Sequence, residues 1–266
     1  MTRGVTVELS RNSVTALDDR PGIAEFLLAA RPNASASWVR SNLAALMADW
    51  IERSKAGVVL EVGGGRAPLL RKSDLPNDVV YIVNDLRQEE LRIAAAEGHD
   101  TVLFDVQDGT GPEFPYLGRC DLVFSNMVFE HVRRPSDGWS SCARLLRPGG
   151  QAVAIVPTLF SPPFVVNRLL PEAVASRLLR RFFPNRSVSE IPKFPAYYRW
   201  CRSSVPYLAH RLCPLGFRRV QSVRFYGHNY FRRVPVVREL DEALTNAASV
   251  RDSALFSAYA AIVATR

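Results

Sequence analysis

The chain has 266 residues with 34 Lys+Arg against 26 Asp+Glu, a formal net charge of +8, and is 47% hydrophobic and 23% charged. That is the composition of an ordinary globular protein, without repeats or low-complexity tracts, and the length suits one large α/β domain or two small ones. Arginine supplies 31 of the basic residues; a positive surface favours phosphorylated substrates, acidic lipid or nucleic acid without choosing among them.

Cys120, Cys142, Cys201 and Cys213 form no C-x-x-C pair and no zinc spacing, so they read as reduced, packed thiols, and no metal site is expected. The first residues, MTRGVTVELSRN, contain no apolar stretch of the secretory kind, and no apolar run approaches the ~20 residues that span a bilayer. A cytoplasmic location follows as the expectation, with contact at the inner face of a membrane left open.

Residues 1–20 show no periodicity and read as a loose leader. From 22 to 54 the pattern is helical: Trp38, Leu43, Leu46, Met47, Trp50 and Ile51 recur at three- and four-residue intervals, with Ser35 and Ser37 as possible N-caps. The period then changes. GVVLEV (57–62), VVYIVN (79–84), TVLFDV (101–106), CDLVFSN (120–126) and QAVAIVP (151–157) are short apolar runs of the kind found in strands buried on both faces. Helical stretches separate them, one ending at Gly98 and one around 136–146 that closes at the turn RPGG. Strands and helices alternating in this way imply βαβ units and a doubly wound, mostly parallel sheet.

Residues 158–205 interrupt the rhythm with six prolines and many aromatic and arginine side chains. Two further strands, FRRVQSVRFYG (217–227) and FSAYAAIVATR (256–266), flank a polar helix. The expected organisation is a leader and helical extension over 1–54, then one α/β domain over 55–266 with a helical lid inserted at 158–205.

The run Glu61-Val62-Gly63-Gly64-Gly65 ends the first of these strands. Glycine there allows positive φ and close approach of the backbone to a ligand. A dinucleotide fingerprint fits at Gly63 and Gly65 but meets Pro68 in place of its third glycine, and no G-K-[ST] run makes a P-loop. Glu61 disfavours a diphosphate and suits an amine or cation. Asp85 ends the next strand about twenty residues past the turn, where an acid accepts hydrogen bonds from ribose hydroxyls. A ligand with a ribose, an amine and a positive centre but no phosphate is S-adenosylmethionine.

These segments resemble the class I S-adenosylmethionine-dependent methyltransferases of the type 11 branch. VVLEVGGGRA is similar to that family's first motif, with Ala67 in place of the last glycine. YIVNDLRQEEL resembles the second, with Asp85 as ribose ligand and Leu86 beside it. FDVQD resembles the acidic segment by the adenine, placing Asp105 and Val106 there, although Asp105 and Asp108 also suit turn chemistry after a strand. CDLVFSNMVFEHV, containing Asn126, and ARLLRPGGQAVAIVP resemble the fourth-strand motif and the turn into strand five. The resemblance covers residues 55–160. It implies a Rossmann-like seven-stranded sheet with an antiparallel last strand, with Glu61, Gly63, Gly64, Gly65, Asp85, Leu86, Asp105, Val106 and Asn126 about the cofactor.

No base stands out in the sequence. His99 precedes strand three, on the wrong edge of the sheet, and His210 lies in a helical stretch. His131, after Glu130, and His228, in FYGHNYF beside Tyr226 and Tyr230, both lie on the ligand-bearing edge and are the two weak catalytic candidates. The insertion carries Phe160, Phe164, Phe194, Tyr197, Tyr198 and Trp200 as possible pocket walls. Within it, 171–183 sets Val174, Leu178, Leu179 and Phe182 apart from Arg177, Arg180 and Arg181, which suits a lid helix or a membrane-surface helix. The expected reaction is methyl transfer to a small-molecule acceptor, with O-methylation of a glycan, lipid-linked or secondary-metabolite substrate favoured. RNA or protein methylation and a non-catalytic cofactor-binding protein are the alternatives; no nucleic-acid-binding module is recognisable.

Overall fold

The apolar run that ends in three glycines becomes β2 (Val58–Val62), an interior strand of one sheet. The computed structural model describes residues 7–8, 22–30, 35–109, 111, 113–159, 195–228 and 235–266. Among these, the other strands are β1 (Val7–Glu8), β3 (Val80–Asp85), β4 (Asp100–Leu103), β5 (Cys120–Asn126), β6 (Leu146–Pro157), β7 (Arg219–Tyr226) and β8 (Ser257–Thr265). The helices are α1 (Ile23–Ala30), α2 (Ala36–Ser54), α3 (Gln88–Ala96), α4 (Pro135–Leu145), α5 (Val205–Leu212) and α6 (Pro235–Val250).

The sheet order is β1-β7-β8-β6-β5-β2-β3-β4. Strands β2 to β6 run parallel to their neighbours among themselves, and β8 is antiparallel to both β6 and β7. This is the expected seven-stranded, doubly wound sheet with its last strand reversed. One strand was not foreseen: Val7 and Glu8, in the stretch read as a loose leader, pair antiparallel with Val220 and Arg219. Two residues are too few to show an alternation.

Both faces of the sheet are covered, which is why its strands read as unbroken apolar runs. In β2, Val59 joins a core with Leu27, Val39, Met47, Ile51 and Leu91 from α1, α2 and α3. Leu60 and Val62 point the other way, into a core with Trp139, Leu145, Leu208 and Leu212 from α4 and α5. The helical extension therefore shares its core with the sheet. Ser35 caps α2, its Oγ accepting a hydrogen bond from the Trp38 amide at 3.4 Å, whereas Ser37 lies inside the first turn. The buried stripe of α2 is Val39, Leu43, Met47, Trp50 and Ile51, with Trp38 and Leu46 at its margins.

The four cysteines are free, three of them buried; burial pushes the thiols of Cys120 and Cys142 up to about 12. Among the described residues no helix is long and apolar enough to cross a membrane. The 171–183 stretch, with Phe160, Phe164 and Phe194, lies outside the described residues.

The parallel register decides where the chemistry sits. Val62 is level with Ser125, Glu61 with Val83, and Asp85 with Leu103. Gly63, Asp85, Asp105 and Asn126 accordingly leave the strands on one edge.

Candidate functional site

After Val62 the backbone turns at Gly63 (φ +73°), Gly64 and Gly65 (φ +50°). The Gly64 amide donates to the Asn84 carbonyl at 3.0 Å, pulling the turn against β3. A Cβ on Gly63 would come 2.6 Å from Val128 Cγ2, one on Gly64 2.9 Å from both Glu61 Cδ and Val83 Cγ1, and one on Gly65 2.7 Å from Asp85 Oδ2. Each is closer than real Cβ contacts allow. The turn thus presents bare backbone wedged between the ends of β3 and β5, a cradle that any side chain would fill.

Glu61 does not face an open ligand position as the sequence suggests. Its side chain is buried, 3% exposed. The two carboxylate oxygens accept the Leu69 amide at 3.2 and 3.0 Å, and one also accepts the Tyr81 hydroxyl. Burial pushes Glu61 up to about 7, with the Tyr81 and Leu69 hydrogen bonds pulling the other way. Its work is to hold the far end of the glycine loop. Arg66 does not pair with Glu61 but forks onto Glu90 at 2.5 and 2.8 Å, and that ion pair holds the Glu90 carboxyl below its ordinary range.

Asp85 ends β3 beside the glycine turn. Its Oδ1 accepts the Arg87 amide at 3.0 Å, while Oδ2 lies toward Gly65. Burial holds this carboxyl above its ordinary value. Leu86 beside it is 50% exposed, an apolar surface at the cradle's rim. Asn84 is buried and braces the edge, donating to the carbonyls of Val102 and Phe104 at 3.1 and 3.0 Å. Asp105 closes a turn, accepting the Gln107 amide at 2.8 Å, and Val106 is buried in the α4 core. Asp108 is exposed and pairs with Arg134 at 2.8 Å. Asn126 ends β5, and Met127 after it takes a left-handed φ of 58°. Such a conformation in a residue other than glycine is uncommon; here it delivers Val128 onto Gly63.

The four histidines separate clearly. His99 lies ahead of β4, packed edge-on to Tyr81, and His210 is an exposed residue of α5. His228 does not open onto the edge: its side chain is 4% exposed and its Nε2 lies 3.3 Å from Asp241 Oδ1 of α6. The ring is packed against α6, and burial holds it below its ordinary value. The neighbouring Tyr226 hydroxyl donates to the Ser253 carbonyl at 2.7 Å, and Tyr230 is outside the described residues. His131 Nδ1 sits 3.2 Å from the Pro195 carbonyl, so it fastens the returning chain to the edge.

Glu130 was passed over in the sequence as the neighbour of His131. Its side chain is 4% exposed, and Oε2 has no hydrogen-bond partner among the described residues. Burial pushes it up to about 7. Its carbonyl accepts the amides of Tyr197 and Tyr198 at 2.7 and 3.0 Å. That clamp brings the end of the insertion onto β5 and borders a cavity of about 440 Å³, lined by 133–136, Leu159, 197–200, Arg202 and Tyr207.

Residues 60–154 match the family described as "Methyltransferase domain". No curated protein matches the chain in sequence. Among solved structures, a SAM-dependent methyltransferase of Thermotoga maritima, called a possible histamine N-methyltransferase, is 13% identical, with 86% of this chain and 92% of that chain covered at a TM-score of 0.51. Haemonchus contortus phosphoethanolamine N-methyltransferase 2, solved with S-adenosyl-L-methionine, is 14% identical over 93% of this chain and 60% of its own, TM-score 0.51. The CMeT domain of the citrinin polyketide synthase is 14% identical over 86% of this chain and 54% of its own, TM-score 0.52. The chain therefore spans little more than half the length of the last two. At these identities the likeness is one of fold.

Proposed function

From a class I S-adenosylmethionine-dependent methyltransferase whose methyltransferase domain matches at residues 60–154, we propose methyl transfer to a small-molecule acceptor, at an oxygen of a glycan, lipid-linked or secondary-metabolite substrate. The observation that carries the reading is the bare turn at Gly63 to Gly65 with Asp85 Oδ2 turned toward it. The cofactor fits this cradle by its chemistry: ribose hydroxyls for Asp85, apolar surface from Leu86, and backbone at Gly63–Gly65, Val106 and Asn126. When bound, it supplies an electrophilic methyl group on a sulfonium sulfur.

The chain's own contribution is mostly positional, since alignment of an acceptor with its electrophile accounts for much of such an acceleration. The acceptor occupies the cavity lined by Tyr197 and Tyr198, the two residues clamped to the Glu130 carbonyl. A hydroxyl must also lose its proton as its oxygen gains the methyl. Glu130 is the group suited to take it, having a buried oxygen with no described partner and a proton affinity near neutrality. His131 is the lesser candidate because its Nδ1 is engaged by the Pro195 carbonyl. Calorimetric titration with S-adenosylhomocysteine tests the reading. Micromolar binding is expected, and a folded protein that ignores the ligand would sink it.

A further inference from the structure

We propose that Arg66 is a positioning residue for the cofactor, its fork onto Glu90 setting the width of the slot between Gly65 and Asp85 in which the ribose binds. The proposal rests on the methyltransferase reading of the glycine cradle and adds a residue to it. One wall of the slot is the turn itself, whose last glycine, Gly65, takes φ +50°. The other is the end of β3, where Asp85 Oδ2 stands 2.7 Å from the point a Cβ on Gly65 would occupy.

The turn has no helix behind it to hold that spacing. Among the described residues between β2 and β3 there is no α-helix, and Lys72–Asp74 form a single 3-10 turn. The Gly64 amide on the Asn84 carbonyl fixes where the turn begins, and the Leu69 amide on Glu61 fixes the chain beyond it. Gly65 lies between these two anchors, and Arg66 follows it directly. The Arg66 Nε and Nη2 donate to the two carboxylate oxygens of Glu90, in the first turn of α3, at 2.5 and 2.8 Å. Glu90 is buried, and its Cβ lies 3.5 Å from the same point beside Gly65. Arg87 reaches Glu90 Oε1 at 3.6 Å, while its amide donates to Asp85 Oδ1 at 3.0 Å. The contacts close a ring: Gly65 to Arg66, across to Glu90, back through Arg87 to Asp85, and over the slot to Gly65. A bidentate, charge-assisted pair fixes separation and orientation together, which a single hydrogen bond does not. Arg66 therefore acts through Asp85, whose bonds to ribose hydroxyls form only over a narrow range of distance. Its own side chain is 47% exposed, so it can be replaced without opening the core.

The test is a double-mutant cycle read by calorimetric titration with S-adenosylhomocysteine. Wild type, Arg66→Gln, Asp85→Ala and the double variant are compared, with melting temperatures taken in parallel. The expected result is binding about tenfold weaker in Arg66→Gln, but a further loss of less than about twofold when the same substitution is added to Asp85→Ala. A general loosening of the fold would weaken binding equally in both backgrounds. That additive result overturns the inference, as does an affinity in Arg66→Gln equal to that of wild type. Should Arg66→Gln not fold, Glu90→Gln breaks the fork from the α3 side and enters the same cycle with the same two outcomes. A folded wild type that ignores the ligand removes the methyltransferase reading and this inference with it. Binding in wild type with additive losses removes the inference alone.

Discussion

The Glu61 carboxylate receives the Leu69 amide, 3.0 Å from Oε2, and so ties the strand before the glycine turn to the residues beyond it. The Tyr81 hydroxyl closes the same knot from β3. Burial sets the proton affinity of this carboxyl about as high as that of Glu130, both near 7 against an ordinary 4.5. The folded chain therefore holds more protons than the unfolded one between these values. The resulting stability is full below about 4.5 and is lost as pH rises through about 7, by on the order of 3 kcal/mol for one such group. Glu61→Gln should remove roughly half of that slope in melting curves taken from pH 5 to 8, and the double variant with Glu130→Gln should flatten it. An undiminished slope in the double variant would contradict the assignment.

Gly65→Ala forces a side chain into a left-handed turn 2.7 Å from Asp85 Oδ2. The expected loss is about 1–3 kcal/mol in urea unfolding, with S-adenosylhomocysteine binding reduced more than the stability change explains. Gly98→Ala is the control: φ is +88° there too, but a Cβ meets nothing within 4 Å, so only the backbone strain remains and binding should be intact.

Asp85→Ala removes the carboxylate proposed to accept the ribose hydroxyls, at a half-buried position that the fold tolerates. Two charge-assisted hydrogen bonds suggest about a 10- to 100-fold loss of S-adenosylhomocysteine affinity by calorimetry, with an unchanged melting temperature. Unaltered affinity would place the ribose elsewhere.

With an acceptor in hand, Glu130→Gln should lower kcat by about 100-fold or more and abolish the limb of the rate–pH profile near 7, while cofactor affinity holds. His131→Gln should keep that limb. The reverse pattern would transfer the base to the histidine.

Arg224 is the most enclosed cation of the sheet's outer half. Its side chain is 6% exposed and donates to the Ser203 carbonyl at 3.2 and 2.9 Å and to Asp252 Oδ2 at 2.7 Å, joining the approach to α5 with the turn before β8. Arg224→Ala strands the Asp252 carboxylate and the carbonyls of Ser203 and Asp252, the latter bonded at 3.0 Å, at a cost of about 3–5 kcal/mol in denaturant unfolding. A change below about 1 kcal/mol would mean that water replaces the guanidinium.

What the sequence made legible follows from burial. Val58–Val62 and Ser257–Thr265 are flanked by helices or strands on all sides, so their apolar runs announce them, and the register then carries Gly63 and Asp85 to one edge without further information. Orientation was not legible. That Glu61 turns to Leu69 depends on the loop's return, and that His228 turns to Asp241 depends on where α6 docks. The arginine cavity was less visible still. It is assembled from residues near 133, 159 and 197–207, and the stretch PAYYRWCR shows its composition but not what it faces.

The place of β8 between β6 and β7 has a consequence for how the protein assembles. Strand β7 emerges before β8 during synthesis, yet it reaches the larger part of the sheet only through it. The part of the sheet that Arg224 ties to the approach to α5 therefore depends on the C-terminal strand for its place, whereas the glycine turn between β2, β3 and β5 does not.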